Sequence, residues 1–423
     1  MRNKTGLSRR DFMRTSAAVS LAALTSGRSY IFAAGSDKIR VGLIGCGGRG
    51  TDATMDCIES SSGVEIVAMG DVFKNRLDSS LAELNREVDD KVTVTEDTCF
   101  VGFDAYKKVI ASDVDMVILA TPPHFRPEHL KAAIEAGKHV FMEKPVAVDP
   151  VGVRSIIASA ELAEKKGLAI VAGTQRRHQA HYIEIMKRIH NGDIGEIVAG
   201  QCYWNDSGWD GPGSKPKQMS DMEWQVSNWF HFTWLSGDEI VEQHVHNIDI
   251  INWALKSHPV KALGMGGREV RGGEGNIYDH FAVDFEYPNG VHVLSMCRHM
   301  DGCTGRISEQ VAGTKGSAYT DGANGSIEGQ NPFKYDGPSP NPYVQEHTDL
   351  IASIRAGKPL NEGRCVAEST LTAIMGRMST YTGRALKWDW VMNASRLDLT
   401  PPKYEFGDLP VRPVAVPGKT KLV

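Results

Sequence analysis

The sequence predicts an α/β domain built on a parallel sheet, followed by an α+β domain carrying a large, mostly antiparallel open sheet. Three observations carry this. A β-branched apolar run, Ile39 to Ile44, stops at Gly45-Cys46-Gly47-Gly48-Arg49-Gly50, the G-x-G-x-x-G spacing that joins a buried strand to a helix N-terminus. From there to Gly173, short apolar runs alternate with helical stretches, the pattern of βαβ units. Beyond Gly173 the runs lengthen and alternate residue by residue, as half-buried antiparallel strands do.

Length and charge bound the reading. At 423 residues the chain has two domains as its natural prior. Hydrophobic residues make up 41% and charged residues 23%, an ordinary globular balance. Lys+Arg number 47 against 52 Asp+Glu, a net charge of −5, so no basic surplus points to nucleic acid. The seven Cys are scattered, with no CxxC and no Cys/His spacing of a zinc site. Neither a disulfide framework nor a metal centre is signalled.

The first 36 residues read as an export signal and linker. Ser8-Arg9-Arg10-Asp11-Phe12-Met13 resembles the twin-arginine translocation motif, and a modest apolar stretch, Ala17 to Leu24, follows it. That stretch is far too short to anchor stably in a bilayer. Small residues at Ala33-Ala34-Gly35 suit a peptidase. The expected location is outside the cytoplasm, in the periplasm. Twin-arginine export carries folded proteins, which agrees with cysteines that form no framework.

Residues 37–173 form the expected nucleotide-binding domain. Thr51 to Ser60 and Asn75 to Glu87 read as helices, with the strand Val64 to Met69 between them. Val114 to Ala120 is a strand, apolar apart from Asp115, closed by Thr121-Pro122-Pro123. Arg126 to Ala136 is helical and ends at Gly137, a C-terminal cap. His139 to Met142 is a strand, Pro150 to Lys166 a helix, and Leu168 to Ala172 the last strand of this domain. The second domain spans 174–392, with strands at Ile197 to Tyr203, His280 to Tyr287 and Val291 to Met296. Tyr287-Pro288-Asn289-Gly290 is the hairpin turn between the last two. Tyr343 to Ala356 and Ala367 to Thr382 are closing helices, and the Pro-rich stretch 393–423 wraps the surface.

The glycine loop carries the first chemistry. Gly45 allows the tight turn, Gly47 lets backbone approach a pyrophosphate, and Gly50 lets helix pack on strand. Gly48 and Arg49 complete the loop at a helix N-terminus, whose free N–H groups favour negative charge. About 20 residues further on, Asp71 ends the second strand, where an acid grips the adenosine ribose and repels a 2′-phosphate. This favours NAD. Lys74 and Arg76 nearby offer cations to NADP, so both nucleotides stay open.

Loops after parallel strands open on the ligand crevice. Thr121, Pro122 and His124, and then Glu143 and Lys144, follow successive strands and are expected at the nicotinamide end. A fixed Lys can donate to a substrate hydroxyl and stabilise the alkoxide. In a predicted helix from Asp238 to Lys256, Glu242, His246, Asp249 and Trp253 share one face. A His with an acid one turn away can act as general base, and equally can be a buried His satisfied by its neighbours. Five of the eight Trp (204, 209, 224, 229, 234) lie between Tyr203 and Trp234. Such residues either stack on sugar rings or lock an irregular loop in place.

Together, the Gly loop, Asp71, the Thr121-Pro122-Pro123-His124 to Glu143-Lys144-Pro145 block and Gly173-Thr174-Gln175-Arg176-Arg177 resemble the glucose–fructose oxidoreductase/inositol dehydrogenase (Gfo/Idh/MocA) family. The Glu-Lys-Pro block is the most diagnostic part. The resemblance implies a Rossmann domain holding a nicotinamide nucleotide and a sugar or cyclitol bound against the second sheet. It also implies a D-x-x-x-H-x-x-D helix whose His takes the hydroxyl proton. Here Glu242 stands in place of the first Asp, and His244 competes with His246 as base. Asp249 is expected to orient His246. Gln175 is placed at the cofactor, Arg176 on the nicotinamide or substrate side, and Trp234 at the substrate.

The expected function is therefore an exported, nicotinamide-dependent oxidoreductase of a sugar, glycoside or cyclitol hydroxyl that keeps its cofactor through turnover and forms a homodimer or homotetramer. A second reading is an NAD-dependent hydrolase or lyase with no net redox change. A third is a non-catalytic sugar-binding protein.

Overall fold

The computed structural model describes residues 38–208 and 211–423, so the twin-arginine stretch and Trp209 lie outside the described residues. The first sheet holds β1 (Ile39–Ile44), β2 (Val64–Asp71), β3 (Cys99–Val101), β4 (Met116–Leu119), β5 (His139–Met142) and β6 (Ile170–Ala172), in the order β3-β2-β1-β4-β5-β6. All five pairings are parallel. Alternation along these strands builds a core on each face. Val41, Leu43, Met116, Ile118 and Phe141 pack on one side. Ile44, Val117, Leu119, Val140 and Met142 pack on the other. The strand order reverses between β1 and β4, which opens a crevice at the carboxyl ends of both.

The helices Gly48–Ser60, Lys74–Val88, Arg126–Glu135 and Pro150–Lys166 agree with the sequence reading to within a few residues. Strand β3 and the helix Ala105–Ala111 were not located by it. β3 has three residues, none of them fully buried, so its apolar signal is weak.

The second sheet has nine strands: β7 (Ile197–Asp206), β8 (Lys261–Gly267), β9 (His280–Glu286), β10 (His292–His299), β11 (Arg306–Gly313), β12 (Gly316–Asp321), β13 (Gly325–Gly329), β14 (Phe333–Lys334) and β15 (Leu386–Lys387). Their order is β14-β13-β12-β11-β7-β10-β9-β8-β15, antiparallel except for the parallel pair β7 and β10. The expected hairpin joins β9 and β10 through Asn289 and Gly290, at φ of 66° and 74°. Helices cover one face of this sheet. On the other, Met265, Ala282, Met296 and Tyr203 stand in register across four strands, with Met265 76% exposed.

One expectation needs correction. The predicted helix from Asp238 to Lys256 is broken into Glu239–Glu242 and Val245–Leu255. The break turns His244 into the core, where Nε2 meets Ser295 Oγ at 2.8 Å and Nδ1 meets Asn247 Oδ1 at 3.3 Å. One helix of the stretch 174–392 packs against the first sheet. The helix Pro342–Arg355 places Leu350, Ile351 and Ile354 in the same core as Ile39 and Val41 of the first sheet. Residues from Ile39 to Val423 form one compact unit.

Candidate active site

The crevice at the switch point is a cavity of about 490 Å³ lined by Gly45 to Thr51, Asp71, Thr121 and Pro122. Its glycines show why this loop needs them. Gly45 sits at φ +100°, and a Cβ there would lie 2.5 Å from the Thr121 backbone nitrogen. A Cβ on Gly50 would lie 1.9 Å from the Gly45 carbonyl oxygen. At Gly47 and Gly48 a Cβ would meet nothing within 4 Å and would project into open space. Gly47 is the N-cap of the helix Gly48–Ser60, with no side-chain cap and no acid in the first turn. Its orphan N–H groups and dipole are therefore free for a phosphate. This cradle fits a dinucleotide.

Asp71 closes the adenosine side. It receives the Cys46 N–H at 2.7 Å and the Phe73 N–H at 2.8 Å, leaving lone pairs for ribose hydroxyls. Burial raises its carboxyl above the usual range, while these two N–H groups oppose that shift. The cations that favoured NADP are otherwise engaged. Lys74 pairs with Asp78 at 2.7 Å and does not line the cavity. Arg76 lines it but donates to the Ser227 carbonyl at 3.1 Å, with its guanidinium over the Phe73 ring.

A second cavity of about 270 Å³ shares Arg49, Ala120, Thr121 and Trp229 with the first, so the two adjoin. Glu143, Lys144, Gln175, Glu242 and His246 all line it. Lys144 Nζ donates to Glu242 Oε1 at 2.9 Å and to the Glu242 carbonyl at 2.6 Å. An ammonium has three donors. One N–H therefore remains for a ligand oxygen. His246 is buried, and its ring lies 5.9 Å from that of Trp204 at an interplanar angle of 21°. Burial first, then the Lys144 ammonium and the Arg176 guanidinium, hold its imidazole well below the ordinary histidine range. It is thus neutral near pH 7, the form a base needs. Arg49 bridges the cavities, paired with Glu143 at 2.9 Å and Asp56 at 2.8 Å.

Four expected site residues do not reach the cleft. Asp249 does not orient His246: Arg177 holds its carboxylate through two hydrogen bonds of 2.7 and 2.8 Å, and Ser369 donates at 2.7 Å. Arg176 is buried against Glu309 at 2.6 Å. His124 meets the Tyr404 hydroxyl at 2.8 Å through Nε2. Trp234 donates to Gln225 Oε1 at 2.8 Å within an aromatic cluster. Of the Trp-rich stretch, Trp204 and Trp229 line the cleft, whereas Trp224 and Trp234 are core.

Sequence reasoning missed Arg126 and Tyr343 as lining residues. Arg126 holds the two catalytic-side loops together, donating to the Glu143 carbonyl at 2.8 Å and the Thr121 carbonyl at 2.7 Å. Tyr343 arrives from a distant helix, and nothing local announces it.

Comparison with known proteins decides the family. Residues 39–187 match the oxidoreductase family with an NAD-binding Rossmann fold, GFO/IDH/MocA, and residues 182–319 match the GFO/IDH/MocA C-terminal domain. The chain belongs to the GFO/IDH/MocA family. As in that family, its first cavity is an NAD site. Inositol 2-dehydrogenase 4 of Saccharopolyspora erythraea is 31% identical over 210 residues, covering 50% of this GFO/IDH/MocA chain and 57% of that protein. The chain thus spans little more than half the length of that curated relative. Two solved structures share the fold. The aldose-aldose oxidoreductase of Caulobacter crescentus, complexed with glycerol, has a TM-score of 0.65 at 19% identity, covering 83% of this chain and 99% of that one. Levoglucosan dehydrogenase, in complex with NADH and levoglucosan, has a TM-score of 0.66 at 16% identity over the same shares. Among the described residues no helix is long and apolar enough to cross a membrane, and no side-chain cluster fits a metal ion.

Proposed function

We propose that this protein is an NAD-dependent oxidoreductase of a sugar, glycoside or cyclitol hydroxyl. One observation carries the reading: Lys144, its partner Glu242 and the neutral His246 line a single cavity that adjoins the nucleotide cleft. The names of the similar proteins, which act on inositols and sugars, support the substrate class. His246 takes the proton of the substrate hydroxyl on its imidazole. Lys144, held by Glu242, donates its remaining N–H to the same oxygen and stabilises the alkoxide. Trp204 and Trp229 offer faces to an apolar side of the ring. Bound NAD supplies the hydride acceptor.

The finer parts of the proposal rest on the sequence. Ser8 to Met13 directs twin-arginine export to the periplasm, where nucleotide is scarce, so the cofactor stays bound through turnover. The exposed Met265, in register with Ala282 and Met296, pairs with a second copy in a homodimer or homotetramer.

The test is to purify the protein without added nucleotide, identify what denaturation releases, and then screen polyols and sugars for nucleotide reduction. NAD(H) in the protein and an oxidised product matched by an acceptor support the reading. A cleaved glycoside with no net acceptor points instead to the hydrolase or lyase reading. A protein that binds neither NAD nor NADP overturns both.

A further inference from the structure

Besides the cores on the two faces of the first sheet, a third hydrophobic cluster stands over the mouth of the nucleotide cavity. It joins three groups of residues far apart in sequence. The first is the rim itself: Phe73 after β2, Phe103 after β3 and Phe125 after β4. The second is the segment 219–235, through Met222, Trp224 and Val226. The third is the C-terminal stretch, through Leu399, Tyr404 and Leu409. Loops at the carboxyl ends of such strands ordinarily face solvent or ligand. Here they are covered.

The cover is tied down at both ends. The Met222 N–H donates to the Gly407 carbonyl at 3.0 Å, Gln225 Nε2 to the Leu409 carbonyl at 2.5 Å, and the Leu409 N–H to Asp221 Oδ2 at 3.2 Å. This makes the two distant segments one strap. The strap in turn grips the rim. Phe406 stacks on Phe73 with centroids 5.6 Å apart at 17°, and its edge meets Phe103 at 5.4 Å. The Tyr404 hydroxyl bonds His124, and the Ser227 carbonyl accepts from Arg76. Val226 and Trp229 of the same strap line the nucleotide cavity directly.

We propose that this strap, 219–229 joined to 404–409, is a latch that retains the nucleotide, so that release requires the third cluster to open. The inference rests on the NAD reading of the first cavity. It gives the Trp-rich stretch and the Pro-rich C-terminal stretch a shared purpose that hydride transfer alone does not require. It also assigns His124 a role as a latch contact.

The test is cofactor exchange. Full-length protein is loaded with radiolabelled NAD and chased with excess unlabelled NAD. In the wild type, label leaves more slowly than turnover. Phe406→Ala removes the stacked contact without altering a cavity-lining residue, and label then leaves about tenfold faster. Tyr404→Phe keeps the ring and loses the hydroxyl's hydrogen bonds to His124 and Thr400, for about fivefold faster release. Its melting temperature without nucleotide is measured to confirm an intact fold. Wild-type label lost within one turnover, or equal release from wild type and both variants, overturns the latch and leaves the NAD reading standing. A wild type first shown to hold no nucleotide of its own that still takes up no label overturns both.

Discussion

The contact between Lys144 and Glu242 gives the sharpest test of the site. Both side chains are nearly buried, at 12% and 9% exposure, with Nζ and Oε1 2.9 Å apart. Glu242→Gln keeps shape and volume but removes the charge. At an effective dielectric near 20, opposite charges at that separation attract by about 6 kcal/mol, before any compensation. The retained Glu242 carbonyl contact and the new amide oxygen recover part of this. Breaking a buried pair by removing one partner costs about 3–5 kcal/mol, and the conserved shape places this case at the lower end, about 3 kcal/mol. If Lys144 must be held with one N–H toward the substrate, that loss falls on the transition state. The ratio kcat/KM then drops about 100-fold. Glu242 does not line the nucleotide cavity, so the Kd for NAD stays within about threefold, less than half the energy of a tenfold step. The assay is nucleotide reduction with the best polyol or sugar from the screen, beside NAD titration and a melting curve. A folded variant that keeps kcat/KM near the wild-type value refutes the claim that Glu242 aims Lys144.

Three further predictions follow from the geometry. His246→Asn should lower kcat by about 10²–10⁴ with the NAD content unchanged. Because burial and two nearby cations keep His246 neutral, the wild-type kcat/KM should show no inflection near pH 6.5 and should fall only at lower pH. Gly50→Ala should abolish NAD binding and destabilise the fold, since its Cβ would lie 1.9 Å from backbone. Gly48→Ala should leave the melting temperature of the nucleotide-free protein unchanged or raised, with any defect confined to NAD affinity, because its Cβ meets nothing within 4 Å. His178 is pulled down by burial, but its bonds to Asp349 at 2.6 Å and Glu362 prevail and raise it to about 9. Its contribution, up to about 3 kcal/mol, is fully present below its unfolded value near 6.5 and is lost as pH rises through about 9. Melting curves from pH 6 to 10 should show this loss (range about the two values), and His178→Gln should flatten it.

Local chemistry made most of the first domain legible. β1, the Gly loop and Asp71 are read from a largely apolar run, a steric requirement for glycine and one acid at a fixed distance. The sequence sets these directly, because neighbouring residues decide them. The helices Pro150–Lys166 and Arg126–Glu135 carry their own start and stop signals. Lys144 and His246 were identifiable as residue types on the right elements. That they line one cavity, with Glu242 between strand and helix, was decided by packing between segments about 100 positions apart. The same long-range packing overturned other expectations. Asp249 sits one turn from His246, yet a buried Arg177 outcompetes it for the carboxylate, since an uncompensated buried guanidinium is costlier than a His without a partner. His124 and Trp234 stand beside the cleft in sequence, and the C-terminal stretch drew them into a core of its own. What the sequence alone determined is the nucleotide cradle and the inventory of candidate site groups. The tertiary structure alone decided which of those groups face the cleft, because facing it depends on which distant partner claims each side chain first.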